Sequence, residues 1–147
     1  MLNDLYNKRI LELAGNIPRV GRLDGAHGSA TARSKLCGST VTVDVMTDGE
    51  RVTDFAHEVK ACALGQASSS VMARHVIGAT LPELKTVRDQ MRAMLTEKGE
   101  APTGKWSDLE VLEPVRDFKA RHASTMLTFE ATVEALEKAL ARETASA

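Results

Sequence analysis

The sequence predicts an α+β fold in which a small antiparallel β-sheet packs against several α-helices. Two observations carry that reading. Two runs of alternating residues flank Asp48-Gly49, the strongest short-range signal for a hairpin. Segments of helical periodicity, all but the last ended by a glycine or a proline, lie on both sides of it.

The first fourteen residues fit a helix, with Leu2, Leu5, Ile10 and Leu13 on one side and Asn3 or Asp4 near its start. Gly15-Asn16 and then Pro18 stop it. From Arg19 to Ser34, small and polar residues surround His27, a pattern of loop or weakly patterned edge strand. Thr40 to Met46 alternates, with Val41, Val43 and Val45 on one face and Thr42 and Asp44 on the other, as a half-buried strand does. The return strand, Arg51 to Lys60, puts Phe55, His57 and Val59 on one face, so His57 is read as sheet packing.

A helix is predicted over Ala63–Ile77, closed by Gly78, and another over Pro82–Lys98, closed by Gly99. Leu84, Val87, Met91, Met94 and Leu95 form the apolar stripe of the second. Ser107 and Glu110 have the spacing of a capping box for a short helix stopped near Pro114. Trp106, in the same segment, is either an anchor or a partner contact. The last helix, about His122 to Arg142, aligns Met126, Phe129, Val133, Leu136 and Leu140.

The 147 residues suit a single domain spanning 1–147, with a core that needs no staples. A net charge of −1 and only 3% aromatic residues offer neither an electrostatic footprint nor a stacking platform for nucleic acid. No apolar run is long enough to span a bilayer, and the N-terminus lacks the order of a secretion signal. The expected location is the cytoplasm, where Cys37 and Cys62 are reduced thiols.

Cys37 immediately precedes the first strand of the hairpin and Cys62 immediately follows the second. In an antiparallel pair those ends lie side by side, so the two thiols face one pole of the sheet. Gly38 leaves backbone amides open to an anionic sulfur, and Cys62 stands at a helix entrance, where free N–H groups favour a thiolate. Metal or sulfur chemistry is weighed here against two small buried hydrophobes. Ser68-Ser69-Ser70 has no acid–base partner placed by the sequence and is read as close helix packing.

Cys37-Gly38-Ser39, the valine hairpin and Lys60-Ala61-Cys62-Ala63-Leu64-Gly65-Gln66-Ala67-Ser68-Ser69-Ser70 resemble the NifU-like N-terminal, IscU and SufU family of iron–sulfur cluster assembly scaffolds. Asn16-Ile17-Pro18-Arg19-Val20-Gly21 is similar to the family's Asn-Pro-Arg-x-x-Gly turn. The extra stretch from Gly99 to Glu113, followed by Val115-Arg116-Asp117-Phe118, looks closest to the SufU branch. The fold implied is the SufE/NifU-like one.

The resemblance implies a scaffold rather than an enzyme. Such a protein accepts sulfur from a cysteine desulfurase, assembles a [2Fe-2S] cluster or holds iron or zinc, and passes its cargo to apo-protein acceptors. The family pattern has three cysteines and an aspartate; here Ser39 stands at the aspartate, and the third cysteine falls on Ser124 in a gap-free register or on Ala123 when aligned on the histidine. Cys37 and Cys62 are therefore the cluster- and metal-binding candidates, with His122 as a further metal ligand near the lost cysteine. Two chains meeting at their Cys37/Cys62 poles, a homodimer, would supply four thiolates. The alternatives are an adaptor or regulator of a desulfurase that holds no cluster, and a persulfide relay through Cys62 or Cys37.

Overall fold

The computed structural model describes residues 7–35 and 38–146. Helix α1 (Lys8–Gly15) begins at Asn7, whose Oδ1 accepts a hydrogen bond from the Ile10 amide at 2.9 Å. Its Ile10 and Leu13 are buried, while Leu2, Asn3, Asp4 and Leu5 of the predicted helix lie outside the described residues.

Strands β1 (Gly28–Arg33), β2 (Thr40–Thr47) and β3 (Val52–Lys60) form one antiparallel sheet in the order β1-β2-β3. The register sets Val45 opposite Phe55, Val43 opposite His57 and Val41 opposite Val59, so the predicted hydrophobic face is real. Asp48 Oδ1 accepts from the amides of Glu50 and Arg51 at 3.0 and 2.8 Å and closes the hairpin turn. Of the weakly patterned stretch 19–34, the last part is an edge strand; Gly28, Ala30 and Ala32 pair with Val45, Val43 and Val41 and extend the same face with small side chains.

Those small residues let a helix come close. Helix α4 (His122–Ser146) crosses the sheet, and a Cβ built on Gly28 would overlap the Ala135 carbonyl oxygen and stand 2.7 Å from the Ala139 amide nitrogen. The other side of α4 packs against α2 (Ala63–His75) and α3 (Leu81–Thr96). Met126, Phe129, Val133 and Leu136 are buried as predicted, but so are Thr125, Thr128, Thr132, Ala135 and Ala139. The helix is enclosed on two faces, and its sheet-facing side is built from threonine and alanine.

Helix α2 stops two residues before the predicted end. The Gly78 amide donates to the Val52 carbonyl at 2.8 Å and the Val52 amide to the Ala79 carbonyl at 2.9 Å, which draws the chain off the helix axis toward β3. Helix α3 starts under a Thr80 cap, whose Oγ1 accepts from the Glu83 amide at 3.3 Å, with Pro82 in its first turn.

The capping box at Ser107 and Glu110 does not form. Gly104–Asp117 winds instead as successive 3-10 turns beginning after Thr103, with Ser107 exposed inside them. The reason is a period of three: Trp106, Leu109, Leu112 and Val115 are all buried, and a three-residue turn stacks them on one line. Pro114, lacking an N–H, also disfavours a continuous α-helix. Trp106 is an anchor, its Nε1 donating to Glu83 Oε2 at 2.9 Å while Lys105 Nζ pairs with the same oxygen at 2.9 Å.

His57 is fully buried, its ring edge-on to Phe55. Its Nε2 donates to the Pro18 carbonyl at 2.9 Å, its amide to the Arg19 carbonyl at 3.1 Å, and its carbonyl accepts from the Gly21 amide at 2.8 Å. The Asn16–Gly21 turn is thereby held along the free edge of β3. Burial holds the imidazole below its ordinary pKa, against the opposing pull of the Pro18 carbonyl. A base depressed in the fold binds its proton more readily when unfolded, so this residue's contribution is complete above about pH 6.5 and shrinks as pH falls below it. His57→Gln is expected to flatten the fall in melting temperature between about pH 7 and pH 5, read by thermal denaturation across that range. An unchanged slope would show that His57 does not carry it.

Candidate functional site

Thr40, the first residue of β2, pairs with Lys60, the last of β3. Residues just before Thr40 and just after Lys60 therefore share one end of the sheet, as predicted. At that end the Ser34 amide donates to the Ser39 carbonyl and the Gly38 amide to the Ser34 carbonyl, both at 2.9 Å. These bonds close the Ser34–Ser39 loop. Cys37 itself lies outside the described residues. Ser39 is buried, and Gly38 takes a left-handed φ of +70° that only glycine adopts at no steric cost.

Cys62 is the residue before the first turn of α2, in extended conformation, and its carbonyl accepts from the Gln66 amide at 2.9 Å. It is partly buried, and its Sγ lies 3.5 Å from Ser124 Oγ in the first turn of α4. Ser124 is buried, and its single hydroxyl proton has two acceptors within reach, the Cys62 sulfur and the Arg121 carbonyl at 3.3 Å. Gly65 makes this meeting of helices feasible: a Cβ there would stand 2.8 Å from Ala61 Cβ and 3.0 Å from the Ser124 carbonyl oxygen.

Burial pushes the Cys62 thiol up, but it is outweighed. The Ser124 hydroxyl, the Gly65 and Leu64 amides and the Arg121 charge together bring the thiol below its ordinary pKa. Each of these groups favours the thiolate over the thiol, and the thiolate is the form that attacks sulfur and binds soft metals. Sequence reasoning placed Cys62 at this helix entrance but did not find Arg121 or Gly65 as its supports. Their signals were present: a cation three residues before Ser124, and a glycine three residues into a helix.

The two residues weighed for the third family cysteine differ in their surroundings. Ser124 is buried against Cys62, whereas Ala123 is exposed. His122 opens α4, and its Nε2 lies 2.9 Å from the Val115 carbonyl and 3.1 Å from the Arg116 carbonyl. Carbonyl oxygens only accept, so Nε2 carries the proton and Nδ1 is the atom with a lone pair in the neutral ring. Among the described residues, which exclude Cys37, no three His, Cys, Asp or Glu side chains gather as a metal site. No helix among them is long and apolar enough to cross a membrane.

The NifU-like N terminal domain family matches residues 5–125 of this chain. The iron–sulfur cluster assembly scaffold protein IscU of Thermotoga maritima is 26% identical over 135 residues, covering 91% of this chain and 94% of that protein. The zinc-dependent sulfurtransferase SufU of Bacillus subtilis is 25% identical over 142 residues, covering 97% and 93%. Among solved structures, the N-terminal part of a nitrogen-fixing NifU-like protein from Brucella abortus superposes with a TM-score of 0.90 at 62% identity, covering 94% of this chain and 96% of that one. Relatives thus carry names of both a scaffold and a sulfurtransferase. The hairpin, the Cys62–Ser124 contact at its pole, and these matches agree: the chain belongs to the NifU-like N-terminal domain family of iron–sulfur cluster assembly scaffolds.

Proposed function

We propose that this chain, acting as one unit over 1–147, is a scaffold or carrier that takes iron and sulfide as cargo on Cys37 and Cys62. The observation that carries the proposal is the Cys62 thiol, hydrogen-bonded by Ser124 and drawn below its ordinary pKa at the entrance of α2. Soft thiolates suit iron–sulfur cargo, and a [2Fe-2S] cluster takes four of them. Two per chain fall short, so two chains meeting at this pole complete the set. A cysteine desulfurase supplies the sulfur, apo-proteins receive the product, and the cytoplasm is the compartment. His122, ligating through Nδ1, is the extra ligand in a zinc-holding form, the metal named for the Bacillus subtilis relative.

The test is anaerobic incubation with ferrous iron, cysteine, a cysteine desulfurase and excess dithiothreitol, whose two thiols reduce the desulfurase persulfide to sulfide, followed by transfer to an apo-ferredoxin. Visible absorption of a cluster on this chain, then on the acceptor, is the expected result. A second reading rests on a specific observation: Ser39 and Ser124, the residues read as standing in for family ligands, are neutral and buried. On that reading the chain modulates a desulfurase and holds no cluster. Altered desulfurase turnover without any cluster absorption would select it.

Ser124→Cys provides a sharper comparison. The new thiol would sit beside Cys62 in the place of the third family cysteine. Iron retained against a chelator is expected to rise by about an order of magnitude, the scale on which even outer-shell partners move metal affinity. Equal loss of iron from both proteins would show that this position takes no part.

A further inference from the structure

On a neighbouring side of α4's first turn, the end of α3, the end of the 3-10 segment and His122 enclose a cleft of about 510 Å³. A smaller cavity of about 230 Å³ shares Leu95, Thr96 and His122 with it and adds Arg92 and Glu130. The larger cleft is lined by Lys98, Arg116 and Lys119 against the single carboxylate of Asp117. Three positive charges against one negative leave +2 with His122 neutral, on a chain whose net charge is −1. Arg92 and Glu130 approach to 4.0 Å and offset one another.

These cations have capacity to spare. Neither Lys98 nor Lys119 pairs with an acid among the described residues. Arg116 donates from Nη2 to the Gly99 carbonyl at 3.1 Å, but its Nε is buried without a partner. A cleft ligand meets this guanidinium through Nη1, which makes no bond among the described residues and for which a carboxylate or phosphate oxygen is the best acceptor. Lys98 holds a left-handed φ of +56°, a conformation unfavourable for a long side chain, at the lip where α3 ends. The His122 ring is tied to the Val115 and Arg116 carbonyls, so this wall is set in place.

We propose that the cleft binds a small polyanion bearing carboxylate or phosphate groups, held by Arg116, Lys98 and Lys119. Its volume falls in the range of small-molecule sites, and its charge matches an anion. Asp117 leaves one acceptor in the lining, which favours a ligand that also carries a hydroxyl. The cleft shares no residue with the Cys62–Ser124 contact, and its anion-holding cations Arg116, Lys98 and Lys119 are not among the proposed cargo ligands; His122, the extra ligand of the zinc-holding form, borders both.

The test is amide NMR titration of the metal-free full chain with citrate and, separately, with inorganic phosphate, each to about 10 mM. The expected result is saturable shifts confined to residues 95–99 and 116–123, with the sheet amides unmoved. Lys98→Gln/Lys119→Gln replaces two exposed side chains and preserves the fold. It is expected to weaken the apparent affinity at least about 10-fold, as is raised salt. Three outcomes would overturn the proposal: no saturable shift with either anion, equal binding by the double variant, or shifts with an acidic peptide but neither small anion. The last would make the cleft a protein-docking surface.

Discussion

Cys62→Ser is expected to lower the iron and acid-labile sulfide bound after anaerobic reconstitution by more than about 10-fold, while leaving the fold intact. The two halves of that expectation have separate causes. Serine keeps the size and the hydrogen-bonding capacity of the side chain, and it is a favoured residue before a helix. At this position the native side chain makes no capping bond. Stability should therefore change little. The chemistry should not survive, because a serine hydroxyl does not ionise near neutral pH and is a hard ligand for a soft site. The thiol that it replaces is drawn below its ordinary pKa by Ser124, two amides and Arg121. Metal and sulfide assays on variant and parent check the loss, and thermal denaturation checks the fold. Unchanged iron and sulfide in the variant would remove Cys62 from the site.

Gly28→Ala is expected to destabilise the protein by about 3 kcal/mol, a fall in melting temperature of about 10 °C. The added methyl would be driven into the Ala135 carbonyl and the Ala139 backbone of α4, and neither is the end of a flexible side chain. Relief requires α4 to lift from β1. That movement would open the threonine and alanine face packed beneath it and carry Ser124 with the same helix. Denaturant unfolding of the two proteins measures the loss. A change below about 0.5 kcal/mol, ordinary for a surface substitution, would mean that α4 does not approach the sheet so closely.

The hairpin was legible because two periodicities and one turn agreed: alternating valines, Phe55-x-His57-x-Val59, and Asp48-Gly49 between them. The pole followed from chain direction alone, since strand ends on either side of a hairpin must be neighbours. The 3-10 segment was less legible. A spacing of three at Trp106, Leu109, Leu112 and Val115 is shared in part by α-helical patterns, and Ser107 with Glu110 resembled a cap. The sheet-facing side of α4 escaped notice for a different reason: threonine and alanine do not form an apolar stripe, yet close packing on Gly28 and Ala30 requires small residues.

At the site, the sequence pointed to Cys37 and Cys62 and left the third family position between Ser124 and Ala123. In the structure it is Ser124 whose side chain meets Cys62, at 3.5 Å, while Ala123 is exposed. His122 was placed near that position, and its Nε2 proves to be held by main-chain carbonyls, a matter of tertiary packing with no local signature. The supports of the thiolate come from α4 as well as α2, more than fifty residues apart in the chain. Periodicity within one segment carries no information of that kind.

The central claim is that two chains hold one cluster on four thiolates. Its most direct test is the iron and acid-labile sulfide content of anaerobically purified protein, measured with its mass in solution. The account predicts about one iron and one sulfide per chain on a species of twice the chain mass. A protein that takes up no iron or sulfide under any reconstitution, or one that carries zinc without sulfide as a monomer, would contradict it.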